Sequence, residues 1–279
     1  MSTAIKLVVV LLLLLGLLGG SAFFAYELFW KPRHEATVLN ETPKVEPTPI
    51  PPHPDIAAFE AAAAALEAGR SEEARAALAA IVGGDPASPK ALEARRLLGG
   101  VNSKILFSPV PSPEKTAYTV AKGDALARIA SRNKSDAELI FRVNNLPNIN
   151  LQIGQTLYIP TLQIVGFVDR EQKILTLTNN GVFFKDYPLL GASVPGLAAG
   201  SVQEVKVGEK FASRDGKRVA FGTKDFEGCE RVVLLSPGNA SLRAMPEGAE
   251  TPPSGLILAP SDLEEIFVLV SRGVPFTIR

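Results

Sequence analysis

The sequence predicts a multidomain α+β chain: an N-terminal transmembrane helix, a short α-helical segment, a compact βααβ module and a β-rich domain with one packed helix. Three observations predict it. Residues 7–30 form an apolar run whose only charge is Glu27. Residues 55–106 are rich in alanine, with larger apolar residues at helical spacing. Beyond residue 160 apolar and polar residues alternate at period two in several places, and one helical pattern interrupts them.

The apolar run, Leu7 to Trp30, would span about 36 Å as a helix, enough to cross a bilayer. Tyr26, Phe29 and Trp30 gather at its end, where interfacial aromatics belong, and Lys31 and Arg33 follow at once. Gly20-Ser21-Ala22 would serve as a signal cleavage site. The apolar run continues past it, which favours an uncleaved anchor over residues 1–30. Residues 31–54 read as a linker, because six of the twelve residues from Pro43 to Pro54 are proline. Such a segment favours extended polyproline II and holds the rest of the chain away from the membrane.

Residues 55–106 predict a helix, a turn at Gly69-Arg70-Ser71 and a second helix stopped at Gly83-Gly84-Asp85-Pro86. A third helix begins near Pro89, and Ser71 is the expected N-cap of the second. Ala62, Leu66, Ala74 and Leu78 suit close helix–helix contact. The layout resembles a single tetratricopeptide-like repeat with one further helix. That resemblance implies either a packing spacer or a docking face for a protein partner. A short proline linker, residues 107–116, follows.

Residues 117–160 predict a strand at Tyr118-Thr119-Val120, a turn at Gly123, a helix N-capped by Asp124, a second helix ending at Asn144-Asn145, and a strand at Leu157-Tyr158-Ile159. Tyr118, Val120, Gly123, Asp124, Leu126, Ile129, Ala130, Asn144, Leu146, Leu151, Gly154, Gln155, Leu157, Ile159 and Pro160 stand at the fixed spacings of a LysM module, which this segment closely resembles. The resemblance implies binding of N-acetylglucosamine-containing glycan, in bacteria chiefly peptidoglycan, or of a chitin-like glycan. It places the groove at the turn before the first helix and the loop before the second strand. Carried over, the glycan-binding residues are Lys122, Gly123, Asp124, Ala125, Leu126, Leu146, Asn148, Ile149 and Asn150. Ala125 departs from the family, where threonine is frequent.

Residues 161–279 predict three strands from 162 to 190, the last two joined at Asn180-Gly181. Further strands are expected at 201–207, 218–221, 231–235, 255–258 and 274–278. One helix is expected at 261–272, with Ser261 and Glu264 as a capping box and Gly273 as its stop. The opening strands and the closing stretch from Pro253 to Ile278 resemble an L,D-transpeptidase domain, whose catalysis uses a cysteine nucleophile and a histidine. Aligned on Gly255, the nucleophile position holds Leu256, the histidine position Ser254 and the arginine position Leu258. The upstream histidine would fall near Ser236. None of these residues carries the family's chemistry, so no catalytic residue is expected.

The counts agree. There are two histidines, His34 and His53, both ahead of the predicted folded region, so no Cys/His or Ser/His pair and no histidine-bearing metal site is expected there. The single cysteine, Cys229, lacks such a partner and reads as a packing residue. Net charge is zero, with 29 basic and 29 acidic residues, which gives no bulk attraction to nucleic acid. No cofactor is expected.

The resulting expectation is a single-pass bacterial membrane protein, its bulk outside the cytoplasm, that binds peptidoglycan through the LysM module and has an inactive transpeptidase-like domain. Two alternatives stand beside it: a wall-modifying enzyme with a non-standard site, and a protein-interaction scaffold.

Overall fold

The computed structural model describes residues 3–30, 53–198 and 200–279, which divide into one unit ending at Pro52 and a second from His53 to Arg279. The expected proline linker lies, but for its last two residues, outside the described residues. In the first unit, helix α1 (Thr3–Ala25) continues into a π-helical turn, Tyr26–Trp30. Leu7–Phe29 is long and apolar enough to cross a membrane, and its large apolar side chains are exposed.

The second unit opens with α2 (Pro54–Glu67), α3 (Ser71–Val82) and α4 (Ala91–Leu106). Ala62, Leu78, Ile81, Ala94, Leu98 and Val101 form their shared core, as the helical spacing predicts. Ser71 is not the N-cap: Arg70 holds that place with no side-chain bond, and Ser71 is already helical. Helix α4 lies against a strand, β5 (Val182–Ser193). Arg95 makes two 2.8 Å bonds to Asp186, and Asn102 Nδ2 donates to the Phe184 carbonyl at 2.8 Å.

The βααβ module comes next: β1 (Lys115–Thr119), α5 (Leu126–Arg132), α6 (Ala137–Val143) and β2 (Thr156–Pro160). Lys115 and Thr116, expected in the linker, open β1 because they pair with Pro160 and Ile159 of β2. Leu126, Ile129, Ala130, Ile140, Leu146, Leu157 and Ile159 make its core.

The remaining strands are β3 (Ile164–Asp169), β4 (Ile174–Asn179), β6 (Gln203–Arg214), β7 (Lys217–Val219), β8 (Glu230–Ser236), β9 (Ser241–Ala244), β10 (Gly255–Leu258) and β11 (Pro275–Ile278). Their order is β11-β3-β4-β5-β10-β9-β8-β6, and β6 pairs again with β11, so eight strands close into a barrel; β7 hangs on β6. Closure depends on β6, which is twelve residues long. Its first part pairs with β11, and past a bulge at Val207/Glu209 it stays on β8. The sequence predicts only the first part of β6. It gives no sign of β9, four residues with two polar side chains, which exists because β8 and β10 flank it.

One helix, α7 (Pro260–Leu269), packs Leu263, Ile266, Phe267, Val268 and Leu269 into the main core. It is shorter than expected, and the capping box does not form. Ala259 is the N-cap, Pro260 occupies the first turn, and Glu264 turns its carboxylate to Arg142 and Arg231 instead.

Candidate functional site

The two segments expected to form the glycan groove leave the module at one end. Val120 N–H donates to the Gln155 carbonyl at 2.9 Å and Gly154 N–H to the Val120 carbonyl at 2.8 Å. The turn 121–125 therefore starts where the loop 146–155 finishes. Asp124 builds the turn, but not as the expected helix cap: Ala125 is the N-cap of α5, without a side-chain bond. The Asp124 carboxylate instead accepts from the Tyr118 hydroxyl at 2.7 Å and the Ala121 N–H at 2.9 Å, and pairs with Arg132. The Tyr118 and Ala121 bonds, with Arg132 beside them, hold its carboxyl down at about 2.

A depressed carboxyl favours the folded state while ionised. The stability that Asp124 contributes is complete above its unfolded value of 3.8 and is lost as pH falls toward about 2. Asp124→Asn is expected to flatten the fall in the urea midpoint over that acid range. An unchanged pH profile in the variant would show that the carboxylate does not hold the turn.

Asn144 locks the second segment. Its side chain donates to the carbonyls of Ile140 and Tyr158 at 2.8 and 2.9 Å and accepts from the Tyr158 N–H at 2.7 Å, tying α6 to β2. Asn148 Oδ1 accepts from the Asn150 N–H at 2.9 Å and shapes the loop tip. Lys122, Gly123, Ala125, Asn148, Ile149 and Asn150 are exposed. Leu126 and Leu146 are buried in the module core, so their side chains supply packing and not a groove wall. Their apolar spacing serves the hydrophobic face of the fold first.

Asn148 and Ile149 face a cavity of about 450 Å³ between the module and the barrel. The sequence offers no sign of it, because residues from two domains form it: Glu138, Phe141 and Arg142 from the module side, Phe221, Thr223, Phe226 and Arg231 from the barrel side, and Glu264 from α7. Four of these charges form a ring. Arg142 bonds Glu138 and Glu264 at 2.6 Å each; Arg231 bonds Glu264 at 2.8 Å and lies 3.6 Å from Glu138. Burial raises the Glu138 carboxyl above its ordinary value, against the pull of Arg142 and Arg231. Lys210 of β6 reaches Asp136 at 2.8 Å and fastens the same seam.

The aligned transpeptidase positions are elsewhere. Leu256 and Leu258 lie in β10, fully buried, between antiparallel β5 and parallel β9. Ser254 and Ser236 are exposed. Gly255 has φ +132°, and a Cβ there would meet the Ser241 carbonyl oxygen at 3.3 Å, so the glycine serves a close strand approach. Cys229 is buried beside Phe226 and Ala212, and its thiol meets the Asp225 carbonyl at 2.9 Å, in keeping with a packing role.

No curated protein matches the chain. Solved structures similar to it include an L,D-transpeptidase from Mycobacterium smegmatis (12% identity, 46% of this chain and 64% of that one, TM-score 0.30). Mycobacterium tuberculosis L,D-transpeptidase 1 is 12% identical over 46% of this chain and 80% of that one, with a TM-score of 0.29. M. tuberculosis L,D-transpeptidase 3 with a faropenem-derived adduct is 13% identical over 60% and 91%, with a TM-score of 0.31. Likeness at these scores carries no conclusion about chemistry. The family model of the LysM domain matches residues 118–160, so this segment of the chain carries a LysM domain, the kind of module that binds glycan.

Proposed function

We propose that the chain is a membrane-anchored cell-envelope protein that binds peptidoglycan through its LysM domain, and that its barrel is catalytically silent. The LysM match over residues 118–160 carries this reading. The apolar helix ending near Trp30 and the proline-rich stretch after it support an anchor and stalk, with residues 53–279 outside the cytoplasm. The silence of the barrel is supported by the side chains themselves. Leucines stand at the nucleophile and arginine positions, and no histidine follows His53. A serine hydroxyl at Ser254 has no imidazole to activate it.

The full chain, purified in detergent, is expected to co-sediment with purified peptidoglycan and to be released by soluble N-acetylglucosamine oligomers. A chain that stays in the supernatant refutes glycan binding and leaves the scaffold reading. Cross-linking or trimming of muropeptides that is lost in Ser254→Ala would refute the silent barrel. A reporter fused after Arg279 that is active only in the cytoplasm would refute the envelope placement.

A further inference from the structure

The cavity between module and barrel has the makings of a second binding surface. Its volume, about 450 Å³, lies within the range of small-molecule sites. Two loop residues assigned above to glycan contact, Asn148 and Ile149, line it. The barrel's 220–228 loop meets them closely: a Cβ on Gly222 would lie 3.1 Å from Ile149. Phe221 forms a wall, edge-on to Phe141 at 5.5 Å and to Phe226 at 5.2 Å between centroids. Arg231 forms part of the lining, and its side chain is only 5% exposed. Its Nη1 has no hydrogen-bond partner among the described residues. A buried donor left unpaired costs stability until an acceptor meets it.

The charge balance says which acceptor. The ring holds two arginines and two glutamates, so it is already neutral, and Glu227 adds a negative charge to the lining. An anionic ligand would bring a further negative charge to a site with no spare positive one. A neutral carbonyl can accept from Arg231 without that cost, and a small apolar group attached to it suits the phenylalanine wall.

We propose that this cavity is a composite glycan subsite, built by the LysM loop and the barrel together, which takes the N-acetyl group of an aminosugar. It rests on the glycan reading of the module and adds what the barrel is for. The barrel loop 220–228 extends the sugar-binding surface beyond the module, and Arg231 donates to the acetamido oxygen.

The test is calorimetric titration of the full chain in detergent with the pentamer of N-acetylglucosamine, for the wild type and two variants. Thr223→Trp fills the cavity mouth from an exposed position and gives up only the Thr223 hydroxyl's 2.8 Å bond to the Ala220 carbonyl. Phe221→Ala removes the wall. Each is expected to weaken the pentamer about tenfold, the scale of one desolvated hydrogen bond with its packing. Wild-type chain that ignores the pentamer overturns the module reading and this proposal with it. Wild-type binding that is unchanged in both variants overturns the composite subsite alone and leaves the module reading standing. A free stem peptide that binds wild type and is lost in Thr223→Trp would make the occupant an anionic peptide, and overturns the N-acetyl assignment.

Discussion

Arg231→Met is expected to lower the stability of the folded unit by about 3–5 kcal/mol, the range for removing one partner of a buried charge pair. Arg231 and Glu138 are each only 5% exposed at the side chain, so losing the arginine leaves a largely buried carboxylate short of one partner. The variant leaves Glu138 with Arg142 alone, and Glu264 loses its 2.8 Å bond. Urea unfolding of the full chain in detergent measures the loss. A fall below about 1 kcal/mol would show a ring hydrated in solution and worth no more than a surface pair.

The loss should also depend on pH, with a definite sign. The Glu138 carboxyl is raised above its ordinary 4.5 by burial, so the fold prefers it protonated. Its contribution is therefore most favourable below pH 4.5 and declines as pH rises through the raised value. Removing Arg231 takes away a charge that opposes this shift. The cost of Arg231→Met should be smaller in mildly acidic buffer than at neutral pH, because Glu138 then takes up a proton.

Leu256→Ala is expected to cost about 2–5 kcal/mol, the range for deleting a buried leucine side chain from a packed core. Leu256 is fully buried and lies opposite Ala192 of β5 and Leu242 of β9. Residues kept for chemistry commonly cost stability, whereas residues kept for packing supply it. A melting temperature unchanged in Leu256→Ala would mean that the strand is not a core strand. The companion variant Leu256→Cys would place a thiol where burial disfavours the thiolate. Its reaction with a thiol reagent should be slow until the chain unfolds, and fast labelling of native protein would contradict the packing.

The two predictions concern parts of the chain that differ in how openly the sequence shows them. The role of Leu256 was legible: leucine cannot act as a nucleophile, and "GLIL" after a turn-forming stretch has the apolar run of an interior strand. The strand occupies Gly255–Leu258, as the pattern predicts. Arg231 was not legible. It follows Glu230 in a strand whose other residues are mostly valine and leucine, and its charge suggests solvent. Its partners lie 93 residues earlier, at Glu138, and 33 later, at Glu264.

Capping shows the same division. Ser71, Asp124 and Ser261 each have the residue type and position of a helix cap, yet none caps its helix in the structure. Asp124 was taken by Tyr118 and Arg132, and the capping-box glutamate at 264 by two arginines from other elements. Asp136, in contrast, does cap α6, accepting from the N–H groups of Glu138 and Leu139. A cap is worth about 1 kcal/mol, so a charged partner brought close by the fold readily outbids it.

What the sequence determined by itself is everything set by short spacing: the apolar span, the three helices between residues 54 and 106, the βααβ module, and the hairpin at Asn180-Gly181. Periodicity and turn chemistry act between residues a few positions apart, so the chain displays them directly. What only the tertiary structure decided is barrel closure through both halves of β6, the docking of α4 on β5, and the charged seam that joins module to barrel. Those depend on residues tens of positions apart meeting with the right geometry and burial. Burial turns an ordinary arginine such as Arg231 into a group whose partners matter, and no local pattern records it.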